Sequence, residues 1–565
     1  MRRLIAFFIA VFVGLHLSAS LLTAQDSVGL TNGLIGHWPL IKDGKDVSGQ
    51  GHDARATDIV WRQSTASDKA DAGAEFDGRG SYLEVAPPMI GRKDFSVATW
   101  VWSDGSTDDL PGDILSQYDP RTRRGFLVTL KTNTGVTFNQ ANYRQLQFGI
   151  DSDQITDWRD CGQPGQKSLL AFGLITHGGH LFAGTCEPGT GDSGRVWRYS
   201  HGTTWIDCGS PSPANSVTAM ASFNGELYVG TGKYRVAGSA LAESENTHLG
   251  GQIFRYAGGT NWVECAQLTI PGQPNRIEAV SGLITFQGRQ YAGSLYKPAG
   301  FFLNAGPEWK EIGVPDGKRV EALAVYNGHL YASSYDCGHV YRFDGKTWTD
   351  LGQLGDVAEN TQTYSFAVYQ GRLYAGTWRS GRVYRYEEGT KWTDVGRLGE
   401  ELEVMGMLVH NGRLIAGTLP LAEVYQYDGE SSWKKLKQLD TTPDVKYRRA
   451  WTMSEYQGQL FCSTLPSGHV HACEVGKLTT WDDEFPTGWH HVAAVKKGGK
   501  LQLYVDGEQK SNSSDIDAEQ FDLSNDRPLR IGSGPNDFFH GRLRDVRLYD
   551  RAITPSEAAA LAKSR

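Results

Sequence analysis

The chain of 565 residues is poor in cysteine, in long apolar runs and in clustered positive charge. Its seven cysteines (Cys161, Cys186, Cys208, Cys265, Cys337, Cys462 and Cys473) form no CxxC pair, so neither a zinc site nor a thiol-redox motif is indicated. No Lys/Arg block stands out and the formal net charge is −8, which argues against a nucleic-acid surface. HExxH, GxSxG and a Gly-rich phosphate loop are absent, and with them the common zinc-protease, serine-hydrolase and nucleotide signatures. Past Leu15 nothing is apolar enough to span a bilayer.

The one apolar run is at the start. "MRRLIAFFIAVFVGLHLSASLLTA" has a basic beginning, an apolar stretch from Leu4 to Leu15 and small residues at Ala19, Ser20 and Ala24. It reads as a secretory signal over 1–24, cut after Ala24, with an uncleaved anchor as the alternative. Its removal takes away Arg2 and Arg3 and no acid, leaving a charge of −10. The mature protein is expected to be secreted or extracytoplasmic, in the periplasm or at the cell surface.

What the chain has in abundance is glycine (68) and aromatic residues (16 Trp, 24 Tyr, 22 Phe), a mix that suits many short strands joined by turns. A block recurs seven times: "GHLFAGT" at 179, "GELYVGT" at 225, "GRQYAGS" at 288, "GHLYASS" at 328, "GRLYAGT" at 371, "GRLIAGT" at 412 and "GQLFCST" at 458. Most copies continue into a second strand such as "GRVYRY", then a Gly-containing turn and a Trp. The intervals of 40 to 63 residues fit four short strands per unit, the pattern of a β-propeller blade. Each unit opens with a strand carrying a small residue (Ala219, Ala279, Ala322, Ser365, Gly406), as crowding around an axis demands. Three cysteines hold one place in the repeat, "WRDC", "WIDC" and "WVEC"; that place is too far from its equivalents for a disulfide, and they are expected to be small buried apolar residues.

Six units end in their own tryptophan: Trp205, Trp262, Trp309, Trp348, Trp392 and Trp433. The seventh has none, whereas "DWRDCG" (Asp157 to Gly162) stands upstream of the first unit with no strands before it. The orphan completes the truncated copy, giving a seven-bladed ring over 152–477 closed by its N-terminal strand. Closure brings 157 and 477 together, as an inserted domain requires.

The flanks are "GLIGHWPLIKDGKDVSGQGHDA", "AEFDGRGSYLEV" and "DFSVATWVWSD" upstream, and "GWHHVAAVKKGGKLQLYVDGEQK" and "FFHGRLRDVRLYDRAITPSEAAALA" downstream. They resemble the two halves of a laminin-G-like, concanavalin A-like jelly roll, at 30–151 and 478–565. That resemblance implies two packed antiparallel sheets, a domain that often binds sugars or proteins, and a structural Ca²⁺. On it, Asp46 in "DVSGQGHDA" and Asp545 in "RLRDVRLYD" match places where calcium is held; a turn-capping Asp and a salt-bridged Asp are the alternatives. Trp489, His490 and His491 in "GWHHVAAV" follow a usual strand pattern of the family and read as packing. From the residues alone, "KLQLYVDGEQK" is a hairpin with an Asp-Gly turn, and "TPSEAAALA" a short helix with Thr554 as N-cap, Pro555 at its first position and Glu557 completing a capping box. The fold class is therefore all-β, a jelly roll with an inserted propeller.

Sialidase-type Asp-boxes are missing, because "RYSHGTTW", "RYAGGTNW" and "RYEEGTKW" keep the Gly and Trp without the Ser and Asp. The loops after each repeated block share one face of the ring and carry Glu187, Lys233, Tyr234, Arg235, Tyr296, Lys297, Tyr335, Asp336, Trp378 and Arg379. Aromatic and charged groups around a ring mouth suit a glycan or an anionic ligand, although ordinary surface loops would look similar. The second blade's loop, "GKYRVAGSALAESENTHLG", is the longest. The expected function is non-catalytic recognition of extracellular carbohydrate or a protein partner. A polysaccharide-active enzyme (glycoside hydrolase or lyase) is the alternative that a carboxylate pair at the mouth would favour. A plugged mouth would favour a structural cell-envelope component.

Overall fold

The computed structural model describes residues 30–63, 72–86, 90–105, 111–136, 139–273, 277–306 and 308–564, with side chains omitted at 132–143 and 518. The signal expected at 1–24 lies outside them. Strand pairing gives seven four-stranded antiparallel units, whose innermost strands are Leu170–His177, Ser216–Phe223, Val280–Phe286, Val320–Tyr326, Gln362–Tyr369, Glu403–His410 and Arg449–Tyr456. Six units are continuous in sequence. The last, with Gln459–Leu465 and Val470–Cys473, takes its outer strand from Arg159–Asp160, Arg159 lying opposite Ala472 and Asp160 opposite His471.

The repeat motif explains the local geometry. First and second strands meet in two-residue turns such as Gln370-Gly371, at φ 50 and 70. Positive φ at both central residues is the twist-matched hairpin turn, and Asn/Gln-Gly supplies it. The repeated tryptophan has two jobs. Its ring packs on the third strand's aromatic, as in Tyr386–Trp392 at 4.9 Å, and its indole N–H donates to the outer strand of the preceding blade. Trp262 donates to the Cys208 carbonyl, Trp392 to Leu351 and Trp433 to Val395, at 2.9–3.0 Å. Trp205 of the first blade donates to the Cys161 carbonyl at 2.9 Å, just past the strand at Arg159–Asp160. The same blade-to-blade bond thus spans the join between first and last units.

Two details differ from the sequence reading. Cys161 and Cys208 are buried, but Cys265 is exposed. In "WVECAQ" alanine follows the cysteine where "WRDCGQ" has a glycine, and the pairing skips Cys265, with Ile253 opposite Ala266 and Phe254 opposite Glu264. The bulge turns the thiol outward. Ala279 precedes its inner strand, and Gly282, opposite Gly293, takes the place that Ala219 holds opposite Gly230.

The flanking segments form the two sheets of a sandwich around one apolar core that includes Trp38, Phe76, Phe95, Phe126 and Phe148. The outer sheet contains Phe95–Ser103, Gly488–Lys497 and His540–Tyr549; the sheet facing the propeller contains Gly112–Asp119, Arg124–Val136, Asn139–Ile155 and Val475–Trp481. The chain therefore leaves the sandwich at Ile155 and rejoins it at Val475, paired opposite Ile155, a few residues from the limits expected at 151/152 and 477/478. The terminal helix Pro555–Leu561 has the anticipated capping box between Thr554 and Glu557.

The sandwich is bound to the turn face of the ring by buried polar groups. Arg413 grips Asp151 through two bonds of 2.7 Å, with neither side chain more than 1% exposed. Asn411 donates to the carbonyls of Ile150 and Val475. Lys131 pairs with Glu455 at 2.8 Å, and Glu455 also engages His410 at 2.7 Å and accepts from Gln147 at 3.0 Å. Burial raises the Glu455 carboxyl, but Lys131 and His410 outweigh it and hold the group down to about 2.

The hairpin of Arg124–Val136 and Asn139–Ile155 extends beyond its sheet into the ring. Its first strand runs against the inner strands of the fourth to seventh blades, its second against those of the first to fourth, and Asn139 and Gln140 pair in parallel with Met220 and Ala221. The propeller axis is filled by backbone from the sandwich.

Candidate functional site at the propeller mouth

With the sandwich on the turn face, the loops between second and third strands occupy the opposite end, where the candidate residues were expected. One apolar cluster organises this mouth. Phe172, Tyr364, Met405 and Trp451 from the inner strands form its floor, and Tyr234 and Val236 from the long second-blade loop close over it. Tyr234 meets Phe172 edge-on at 4.7 Å and Trp451 at 6.2 Å. The loop is held from three sides. Tyr234 Oη and Ser239 Oγ lie 2.5 Å apart, and Arg449 Nη1 of the seventh blade donates to Ser239 Oγ at 2.6 Å. Lys233 Nζ donates to the Ser244 carbonyl, and Asn246 Nδ2 to the carbonyls of Asp192 and Pro213.

Around this floor three arginines lie over tyrosine rings, each beside an acid. Arg235 sits 4.5 Å from the Tyr296 centroid and makes a bidentate pair with Glu278. Arg319 sits 4.3 Å from Tyr335 and is gripped by Asp336 at 2.6 Å. Arg449 lies 5.7 Å from Tyr447 and 5.2 Å from Trp451, with Glu403 at 3.9 Å. Trp378 meets Tyr447 edge-on at 6.2 Å. Tyr296, Tyr335, Tyr447 and Trp378 are half-buried, with part of each side chain open to solvent.

Of the sequence candidates, the structure brings Tyr234, Arg235, Tyr296, Tyr335, Asp336 and Trp378 to this one surface. Lys297 and Arg379 are exposed on the rim. Tyr234 and Lys233 serve mainly to hold the loop. Glu187 is in the wall, 4% exposed and accepting from Thr185 Oγ1, where burial pushes its carboxyl up to about 7. Arg319, Glu321, Glu403, Tyr447 and Arg449 were missed. The available signal was a charge next to apolar inner-strand positions, in "RVEALAV", "LEVMGML" and "YRRAWTM".

Two of these acids are buried at the mouth end of the inner strands. Glu403 is raised to about 7 by burial, with Arg449 opposing. Burial, then the charge of Glu403, pushes Glu321 far above the usual carboxylate range. Both are nearly inaccessible, at 3% and 1% exposure, so no substrate bond can reach them in this arrangement.

In the sandwich, Asp46 caps a turn, accepting from the backbone N–H groups of His37, Ser48 and His52 and from Ser48 Oγ. Asp545 engages His37 Nε2 at 2.6 Å and Arg547 Nε at 3.0 Å. Calcium prefers several uncommitted oxygens. With an imidazole and a guanidinium on Asp545, these two residues do not fit that ion, and no cluster of three or more metal-ligating side chains occurs among the described residues. His491 is buried edge-on to Trp100, which pushes its pKa down to about 4, and His490 pairs with Asp506.

Residues 457–559 match a family model described as Laminin_G_3, of the concanavalin A-like lectin/glucanases superfamily, beginning inside the last blade. The chain thus combines a concanavalin A-like domain with a β-propeller region. Similar solved structures include a streptogramin B lyase (9% identity, TM-score 0.43, 56% of this chain and 97% of that one). A catalytically inactive virginiamycin B lyase from Staphylococcus aureus with quinupristin is comparable (10%, 0.42, 56% and 99%). The WD40 β-propeller domain of Doa1 is another (12%, 0.40, 56% and 97%). No curated protein matches the chain. Among the described residues no helix is long and apolar enough to cross a membrane.

Proposed function

We propose that this is an exported, non-catalytic recognition protein whose propeller mouth binds an extracellular glycan. The observation that carries the reading is the belt of Tyr296, Tyr335 and Tyr447, each under an arginine, with Trp378 beside them. Aromatic rings held rigid before binding lose little entropy on contact, and sugar rings present apolar faces to stack on them. The guanidinium edges add donors for hydroxyls or carboxylates. The family match at 457–559 lies in the sandwich and the last blade, outside the mouth residues, and supports only glycan as the class of ligand. The test is a glycan-array screen of the intact protein with Trp378→Ala and Tyr335→Ala beside it. Hits should weaken by about 1–3 kcal/mol in at least one variant, a hot-spot-sized loss. An array without hits, or hits that ignore both substitutions, overturns the reading.

The polysaccharide-active alternative draws on Glu403, whose carboxyl near 7 is where a proton donor works best. Its burial, at 3% exposure, makes the binding reading the stronger. Turnover of any array hit that vanishes in Glu403→Gln would reverse that preference.

A further inference from the structure

The propeller axis is filled from both ends. On the sandwich side the hairpin enters it, with Asn139 and Gln140 paired to Met220 and Ala221. On the mouth side the second-blade loop packs Tyr234 and Val236, 8% and 0% exposed, into the cluster of Phe172, Tyr364, Met405 and Trp451. Those four floor residues are buried as well. A ligand therefore meets a plugged centre, and the apolar surface left to it lies around the plug.

That surface runs from blade to blade. The loops after the second strands place Tyr296 on the third blade, Tyr335 on the fourth, Trp378 on the fifth and Leu421 on the sixth, and Tyr447 stands at the entry to the seventh. The tyrosines and Trp378 pack against the one apolar cluster with part of each side chain open, and Leu421 is 38% exposed. A backbone bridge from Leu421 to Arg448 sets it beside Tyr447, which Trp378 meets edge-on at 6.2 Å. The first and second blades break the series with the buried Glu187 and the long loop. Five consecutive blades of seven thus form an open arc, and contiguous exposed apolar surface of this kind marks a binding groove.

The arc is also electrically balanced where its arginines stack. Arg235 over Tyr296 is answered by Glu278, and Arg319 over Tyr335 by Asp336. Such pairs suit hydroxyl groups better than a carboxylate, which would have to displace the acid already in place.

On the footing of the glycan reading above, we propose that the mouth grips an internal stretch of a neutral, extended glycan chain. The chain lies along the arc with sugars on successive blades, and the second-blade loop, by plugging the axis, keeps chain ends from entering.

The experiment is isothermal titration of the intact protein with cello-, xylo- and chito-oligosaccharides of two to six units, with the hexamers reduced to alditols at one end, and with hexagalacturonate. In at least one neutral series affinity should rise at least tenfold from dimer to hexamer, end reduction should change it less than twofold, and hexagalacturonate should bind no more tightly. Leu421→Ser and Tyr296→Ala, on opposite limbs of the arc, should each weaken the hexamer at least threefold; Leu421→Ser, at an exposed position, decides alone should the other fold poorly. A dimer that matches the hexamer, with both sensitive to Trp378→Ala, overturns the arc and leaves glycan recognition at the mouth standing. Loss of binding on end reduction, preference for hexagalacturonate, or a hexamer indifferent to Leu421→Ser overturns it too. Silence from all three neutral series does the same, and the array then judges the mouth separately.

Discussion

Glu455→Gln is the sharpest probe of how the two modules are joined. The side chain is 1% exposed and meets Lys131 at 2.8 Å and His410 at 2.7 Å. Its carboxyl is held at about 2 against an ordinary 4.5. At ~1.36 kcal/mol per pH unit, that gap corresponds to about 3 kcal/mol of stability at neutral pH. Because the folded value is the lower one, the contribution is complete above about 4.5 and is lost as the pH falls towards 2. The substitution also leaves Lys131 buried without its counter-charge, an effect of about 3–5 kcal/mol when one partner of a buried pair is removed. Thermal melting of wild type and variant, followed from pH 8 to pH 2.5, should show a wide gap at neutrality that narrows below about pH 4.5. Equal melting at pH 7, or a gap indifferent to pH, would refute the reasoning.

Two further outcomes follow from the same contacts. Side by side, a fragment of 168–477 should melt earlier than one of 152–477 or aggregate through the open edge of the last blade, because it alone lacks the outer strand at Arg159–Asp160 and the Cys161 acceptor of Trp205; equal stability and a monomeric elution profile would contradict the ring closure. Calcium and a chelator should give the same melting temperature, because the carboxylates of Asp46 and Asp545 are engaged by protein donors; a calcium-dependent rise would show that they rearrange.

How much of this was legible in the sequence depends on the range over which each contact acts. The blades were readable because turn and strand chemistry are local: Gln370-Gly371 announces its turn, and "DWRDCG" declares an outer strand even when displaced by three hundred residues. The hairpin in the ring axis was not readable. The strand segments "KTNTGV" and "NQANYRQ" are polar, and their course is set by seven strands distant in sequence. The same holds for Arg413 with Asp151 and Lys131 with Glu455, charges that resemble ordinary surface residues until a buried partner appears. At the mouth, loop position alone placed Tyr296, Tyr335 and Trp378 on one face. The arginines over the tyrosines depend on side-chain direction, and the inner-strand acids were obscured by the apolar residues around them.

A fragment of 152–477 illustrates the difference. Read as a closed ring with meeting ends, it looks self-sufficient. In the structure it would lose Lys131, Gln147 and Asp151, leaving Glu455 and Arg413 without their main partners. The propeller and sandwich are therefore expected to melt as one unit in the full chain.

The central claim, recognition at the mouth, is tested most directly by hydrogen–deuterium exchange of the intact protein with and without a glycan identified on the array. The account predicts protection in the loops at 233–251, 295–300, 335–338 and 379–381, with the outer sheet of the sandwich unchanged. Protection confined to the sandwich, with the mouth loops exchanging as before, would contradict it.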